Sequence, residues 1–584
     1  MKKLLGLALL LAAVALAPPA PDFVVEKDVP VVMRDGVVLR ADVWRPTASG
    51  QFPVLVYRTP YDKRRAPESY STFRRAVERG YAVVIEDVRG RYASEGKFAA
   101  YRNEGQDGYD TIEWAAAQPW SNRSVGTFGL SYPGAVQWLA AVERPPHLKA
   151  MVPAMTFSTP QNFFYSGGVF DLSWIGWIWN NIAPDTRRRR NLPGPKTYAE
   201  ARAAWRRIRD RLQRHLPLSE LAELQQVAPY YYEWLRHPPG DPWWDWAELR
   251  NKHKRVEAAV LNLSGWYDEA YGPEGAISNF MGLVAARQAQ RDLRAKLVIG
   301  PWTHGVHATG ETKSGQRAFG PVARIDYDEL VLRWMDRYLR GLDNGIDQEK
   351  PVQVFVMGAN VWREADTWPL PGTRYRPVYL AAASTEGKRG RLSWEPPQDA
   401  EQFSSFVSDP ADPVVDPFGP SLGAHDLRAL EQRTDVLIFD TEPLDRDLEV
   451  TGPIVAEIFL STDAPDTDLW VRLLAVAPDG TAVNLMSPGL DVIRASYRHG
   501  GPERKQLVPG RIYKLRLTNL VTSNLFRKGY HLRVQISPTF FPYFSRNLHT
   551  GELETASSAM RQASIRIYHD RDRPSRLVLP IISR

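Results

Sequence analysis

The stretch Val125-Gly126-Thr127-Phe128-Gly129-Leu130-Ser131-Tyr132-Pro133-Gly134-Ala135-Val136 leaves this chain few folds to choose from. An apolar, β-type run meets a serine flanked by small residues. It then continues in a helical pattern through Gln137, Trp138, Leu139 and Ala140. A strand, a turn too tight for side chains and a helix make a nucleophile elbow, which pushes the serine hydroxyl out above a sheet. Its glycines permit close chain crossing and a strained backbone. The usual spacing is Gly-x-Ser-x-Gly; here the second glycine falls one place late, at Gly134, after Pro133. Glycine-flanked serines are common by chance, so the rest of the chain must supply a base, an acid and an oxyanion hole.

The pattern around the elbow is that of an α/β sheet. Val31 and Met33, then Val37, Leu39, Ala41 and Val43, alternate about Asp35-Gly36 as a hairpin does. Residues 52–57, 82–85 and 148–153 are short apolar runs without alternation, as buried parallel strands require. Helical patterns at 72–80 and 112–117 separate them, and strands alternating with helices imply right-handed parallel crossovers. From 156 to 245 no buried strand is written. Trp174, Trp177 and Trp179, a long helix at 198–216 and a second helical stretch at 218–226 are read there as an inserted cap. Sheet pattern returns at 258–263 and 296–299, and 327–341 reads as a closing amphipathic helix. Beyond Pro351 short strands such as 352–357, 454–460, 469–475, 512–517 and 531–536 are separated by Gly, Pro and Asp turns, the grammar of a β-sandwich or jelly roll. The expected division is a leader at 1–21, an α/β domain in two parts (22–155 and 246–349), a helical insertion at 156–245 and a β domain at 350–584.

Composition narrows the chemistry. The chain of 584 residues has no cysteine, which excludes disulfides, thiolate metal sites and a cysteine nucleophile together. Neither a metal nor a cofactor is expected. The net charge of +7 is scattered; the tightest run, Arg187 to Arg190, is read as a solvated loop and not a nucleic-acid contact. Lys2 and Lys3 precede an apolar run from Leu4 to Ala17, too short to span a bilayer comfortably and followed by Pro18. Export to the periplasm or medium is expected, with an uncleaved N-terminal anchor as the lesser alternative. No stable membrane insertion is expected once the leader is removed, and a homo-oligomer is left open.

In an elbow enzyme of this kind the acid and the base follow the serine, in that order, in loops after later strands. After residues 258–263 come Ser264-Gly265-Trp266-Tyr267-Asp268-Glu269; after 296–299 come Gly300-Pro301-Trp302-Thr303-His304-Gly305. Asp268 is the candidate acid, with Glu269 the alternative. His304 is the candidate base; His307, three places on, is the alternative, set further from the strand end. One oxyanion donor is the backbone N–H of Tyr132. The second should come from Arg58-Thr59-Pro60-Tyr61-Asp62-Lys63, which lacks a glycine run but offers the phenol of Tyr61.

These segments, with Asp87-Val88-Arg89-Gly90-Arg91-Tyr92-Ala93-Ser94-Glu95-Gly96, Phe541-Pro542-Tyr543-Phe544-Ser545-Arg546-Asn547 and Tyr568-His569-Asp570, resemble the X-Pro dipeptidyl peptidase and cocaine esterase family of serine hydrolases. The resemblance covers the chain from about Val24 to its end, and in it the late Gly134 is a family trait. It implies an α/β-hydrolase core with an inserted helical cap and a C-terminal all-β jelly roll, and it implies that Tyr61 gives its hydroxyl to the oxyanion. The Asp87 to Gly96 segment is expected to hold a buried carboxylate–guanidinium pair that fixes loops near the elbow.

The family spans acyl esterases, X-Pro dipeptidases and β-lactam or α-amino acid ester acylases. An α-ammonium would need converging carboxylates, and after Glu269 the chain offers only Ala270, Tyr271 and Gly272. Trp174 and Trp177, with Trp243, Trp244 and Trp246, are instead read as an apolar wall for an acyl or aryl group, or as cap core. A carboxylic-ester hydrolase acting on small-molecule esters is therefore expected, with X-Pro or α-amino acyl hydrolysis of an ester or amide as the alternative. A non-catalytic carbohydrate-binding surface protein is the remote one.

Overall fold

This computed structural model describes residues 23–268, 272–288, 293–382, 389–419 and 421–583. The leader expected at 1–21 and Glu269 lie outside the described residues.

The core is a ten-stranded sheet. Its strands are β1 (Phe23–Val32), β2 (Val38–Pro46), β3 (Phe52–Thr59), β4 (Ala82–Asp87), β5 (Ser121–Leu130), β6 (Leu148–Ala154), β7 (Ala259–Tyr267), β8 (Ala295–Thr303), β9 (Val352–Val356) and β10 (Val361–Ala365), in the order β1-β2-β4-β3-β5-β6-β7-β8-β9-β10. The pairs from β4 to β9 are parallel, and antiparallel strands close both edges. Burial explains the lack of alternation: every residue of β4 and of β7 is buried. One expectation is corrected. The strand at 352–357, read with the C-terminal β domain, belongs to this sheet, with Val352 opposite Leu297 and Val354 opposite Ile299. A short apolar run looks the same in either sheet, and only its partner decides.

Helices cover both faces. Tyr327–Arg340 starts on Asp326, whose side chain accepts from the Glu329 N–H, and stops at Gly341 in the left-handed region (φ 70°). Its buried Val331, Leu332, Met335 and Leu339 lie on the sheet. A Cβ on Gly126 would stand 2.6 Å from the Met335 sulfur, so a glycine of the elbow strand also makes room for this helix.

The cap between β6 and β7 is helical. Its longest member, Tyr198–Arg214, opens with a capping box between Thr197 and Glu200. The stretch read as one helix at 218–226 is two short pieces, Leu218–Glu220 and Ala222–Gln225. The arginine run is not a loop, while Arg188, Arg189 and Arg190 are solvated as expected. It ends the helix Ala183–Arg189, where cations suit the helix C-terminus. Arg187 is buried with its guanidinium 4.4 Å from the Trp179 ring centre, and Arg189 donates to the carbonyls of Tyr92 and Ser94.

The C-terminal strands form a second, fourteen-stranded sheet system. Its interior is built from Ile458, Leu460, Val471, Leu473, Val534, Ile536, Ile565, Ile567 and Leu577, all fully buried. The whole is an α/β-hydrolase core with a helical cap and a jelly roll. The jelly roll is bonded to both other parts: the Leu172 N–H donates to Tyr543 O (2.8 Å), the Leu218 N–H to Glu554 O (2.9 Å) and the Tyr267 hydroxyl to Asn484 O (3.0 Å).

Candidate active site

Ser131 stands between β5 and the helix Tyr132–Ala141 with φ 70° and ψ −127°, a conformation that side chains rarely adopt. The glycines are needed because the crossing is tight. A Cβ on Gly129 would lie 2.6 Å from Pro133, and one on Gly134 would lie 2.5 Å from the Ala154 carbonyl oxygen. The late glycine is thus where the helix passes over the end of β6. The backbone holds the turn: Ser131 N–H donates to Ala154 O (3.0 Å), and Ser131 O accepts from the N–H groups of Gly134 and Ala135 (2.9 Å each).

The acid and base meet because their strands are neighbours. Thr303 of β8 lies opposite Tyr267 of β7, so Asp268 and His304, each one residue further on, leave the sheet side by side. A Cβ on Gly265 would lie 2.1 Å from the Trp302 carbonyl oxygen, and that closeness brings the two ends together. His304 Nδ1 is 2.8 Å from Asp268 Oδ1. A carboxylate only accepts, so Nδ1 carries the proton and Nε2 is left as the base. Asp268 is fully buried, and Ser264 Oγ donates to its other oxygen at 3.2 Å. His304 keeps 22% of its side chain exposed. His307 is exposed on the cavity wall, and Asp268 is bonded to His304.

Tyr61, Ser131 and Pro133 share a cavity of about 580 Å³ with Tyr57, Tyr70, Tyr92, Asn180, Asn181, Asp185 and Tyr198. The Tyr132 N–H opens its helix and so has no carbonyl of that helix to bond. The Tyr61 hydroxyl oxygen accepts from the Trp177 indole N–H at 2.9 Å, which occupies a lone pair and leaves the phenolic proton to be donated elsewhere. Trp177 therefore touches the candidate oxyanion donor. Trp174 does not: it is buried among Phe163, Phe164 and Trp234, with its own N–H on Phe163 O, and is cap core. The cavity wall is made of tyrosines where tryptophans were expected.

The loop carrying Tyr61 is held by buried charges on both sides. Lys63, 1% exposed, reaches Asp28 (2.7 Å) and Asp42 (2.9 Å), and its N–H donates to Asp87 Oδ1 (2.7 Å). Burial pushes the Asp87 carboxyl up to about 7. Arg91, fully buried, donates to Pro60 O (2.9 Å), Ile182 O (2.9 Å) and Asn181 O (3.1 Å). The pair expected inside the Asp87 to Gly96 segment is absent. Asp87 takes backbone N–H groups, and Arg89 pairs with Asp107 (2.6 Å) and Asp35 (2.7 Å). The segment fixes the loop of Tyr61 more than the elbow. Arg91 does face a buried carboxylate, Asp185 of the cap at 3.5 Å, but that partner lies outside the segment and the shorter bonds go to carbonyl oxygens, which no residue type announces.

Among the described residues no group of three or more His, Asp or Glu is arranged to hold a metal ion. Among the described residues, the three carboxylates on the cavity wall each have an arginine: Asp62 with Arg64 (2.8 Å), Asp185 with Arg188 (2.5 Å) and Glu68 with Arg65 (3.6 Å).

Known proteins share this architecture. Residues 35–306 match the family model of the X-Pro dipeptidyl-peptidase (S15 family), and residues 344–578 match that of the X-Pro dipeptidyl-peptidase C-terminal non-catalytic domain. Cocaine esterase of Rhodococcus sp. (strain MB1 Bresler) is 34% identical over 96% of this chain and 99% of its own. Among solved structures, an aminopeptidase from a marine sediment Thaumarchaeota archaeon superposes with a TM-score of 0.82 at 23% identity, covering 98% of this chain and 99% of its own. An α-amino acid ester hydrolase superposes with a TM-score of 0.80 at 25% identity, covering 98% of each chain. With a glycine-framed serine on an elbow, a histidine–aspartate pair at the neighbouring strand ends and this kinship along its length, the chain belongs to the X-Pro dipeptidyl peptidase and cocaine esterase family of serine hydrolases.

Proposed function

We propose that the chain hydrolyses carboxylic esters of small molecules, with Ser131 as nucleophile, His304 as general base and Asp268 as the group that orients it. The observation that carries the reading is the His304–Asp268 bond at adjacent strand ends, beside a serine held in the left-handed region. Ser131 Oγ attacks the ester carbonyl while His304 Nε2 takes its proton. The carbonyl oxygen becomes an oxyanion between the Tyr61 hydroxyl and the Tyr132 N–H. Collapse expels the alcohol, which takes the proton from His304 and leaves an acyl-serine. Water repeats the sequence and frees the acid and the enzyme.

An ester is favoured over an α-amino acyl or X-Pro substrate by the charges on the wall. A substrate ammonium needs a carboxylate it can pair with, and Asp62, Asp185 and Glu68 are each compensated by an arginine. The tyrosines of the cavity offer an apolar face with a polar edge, which suits short or aromatic acyl groups. We place the enzyme outside the cytoplasm, on the strength of the basic and apolar residues at the start of the sequence.

A substrate panel tests the assignment. Higher kcat/KM is expected on short-chain and aromatic acyl esters than on Gly-Pro or Ala-Pro anilides. The reverse ranking would move the protein to the peptidases. Ser131 should be the residue modified by a fluorophosphonate.

A further inference from the structure

Beneath the active site, one buried carboxylate touches both the residue after Ser131 and the strand that leads to Tyr61. Glu104 opens the helix Glu104–Ala116 and is 3% exposed. Its Oε1 accepts from the hydroxyl of Tyr132 at 2.7 Å. Its Oε2 accepts from Arg58 Nη1 at 2.7 Å. Tyr132 supplies the backbone donor of the hole from directly after the nucleophile, and Arg58 lies near the end of β3, three residues before Tyr61. We propose that Glu104 is a positioning residue for ester hydrolysis: its two carboxylate oxygens fix the spacing between the backbone donor of Tyr132 and the phenolic donor of Tyr61. The proposal rests on the serine-esterase reading and adds to it the part that sets the hole's width.

The surroundings make this link stiff. The Tyr132 ring is fully buried and stacks on Tyr101 with 4.0 Å between centres, while the Tyr101 N–H donates to the Tyr132 hydroxyl at 2.9 Å. The hydroxyl thus has one donor and one acceptor, and Glu104 is the acceptor. Arg58 is 4% exposed and spends its Nε on Glu86 at 2.7 Å, so the guanidinium is held from two sides in the plane of its fork. Burial pushes the carboxyls of Glu86 and Glu104 up, against the pull of Arg58. An oxyanion donor acts on charge that exists only in the transition state, so a donor displaced by a fraction of an ångström lowers kcat and leaves substrate binding alone. A residue that served only to neutralise Arg58 would change the amount of folded enzyme and not the turnover of each folded molecule.

The experiment compares wild type with E104Q, Y132F and the double variant, each labelled to completion with a fluorophosphonate so that turnover is expressed per reactive serine. For E104Q we expect kcat per labelled site to fall about tenfold with KM within about twofold. Inhibition by an aryl boronic acid, whose tetrahedral adduct fills the hole, should weaken by the same factor. Y132F keeps the backbone donor and the Glu104–Arg58 pair, and should reproduce the loss; the double variant should be no worse than either single one. Wild-type kcat per labelled site in Y132F overturns the proposal, even where E104Q fails to fold. So does a double variant whose losses multiply. A wild-type chain that neither labels nor turns over esters sinks the esterase reading and the positioning role with it, whereas an active wild type with unaltered variants sinks the positioning role alone.

Discussion

The indole N–H of Trp177 donates to the hydroxyl oxygen of Tyr61 over 2.9 Å, joining the cap directly to the proposed oxyanion donor. With that lone pair taken, the phenol is turned so that its proton faces away from the indole. Trp177→Phe keeps a ring in place and removes the donor. It should lower kcat about tenfold with little change in KM, and Tyr61→Phe, which removes the donor to the oxyanion itself, about 10²-fold. Steady-state kinetics on one ester checks both. In Tyr61→Phe the indole has no phenol left to orient, so adding Trp177→Phe should cost nothing more; a further drop there would show that Trp177 acts by another route.

Asp268→Asn should lower kcat by about 10⁴-fold while the fold survives, because an amide presented to Nδ1 holds the imidazole in the wrong tautomer. The near-ultraviolet circular dichroism should match wild type. Turnover within tenfold of wild type would move the acid role to a neighbour.

Gly134→Ala places a methyl 2.5 Å from the Ala154 carbonyl oxygen, where helix and strand backbones both have to give way. We expect a loss of about 1–3 kcal/mol in a denaturant titration. Turnover should fall as well, since the same helix begins with the Tyr132 N–H. An unchanged midpoint would mean that the elbow has slack the distances do not show.

Asp171 is buried near the junction of cap and jelly roll, where its Oδ1 accepts the Ser173 N–H at 2.8 Å, and burial pushes its carboxyl up to about 7. Unfolded, the group titrates near ~3.9. Between these values the folded chain binds the extra proton, so this group's contribution to stability falls as pH rises from about 4 to about 7, then levels off. Asp171→Asn does not titrate. Its Tm relative to wild type should therefore climb between pH 5 and pH 8, and an identical difference at both would refute the assignment.

What the sequence disclosed follows from how each contact is encoded. The parallel strands were legible because double burial writes unbroken apolar runs at 52–57 and 82–85, and one interrupted only by Asn262 at 258–263. Asp268 and His304 were legible because each sits one residue beyond the end of a buried strand. The strand Val352–Val356 was misplaced because its five residues carry no mark of which sheet will accept them. Glu104 was invisible: the helical pattern was read only from 112, and its partners come from residues 58 and 132. In the run 187–190 only Arg187 misled: its neighbours are solvated, and it looks so too until Trp179 is folded against it.

Arg91 has a consequence for how substrate arrives. Its guanidinium ties the carbonyl of Pro60, next to Tyr61, to the carbonyls of Asn181 and Ile182 in the cap. Lifting the cap as a lid would tear those bonds and drag the Tyr61 loop away from Ser131 in the same movement. Entry by hinged opening would therefore dismantle the site at each turnover and rebuild it afterwards. The cavity lining already reaches the surface at the exposed Arg65, Lys196 and Tyr198, and entry past them would make the bore there, and not the reach of a moving lid, the limit on ester size.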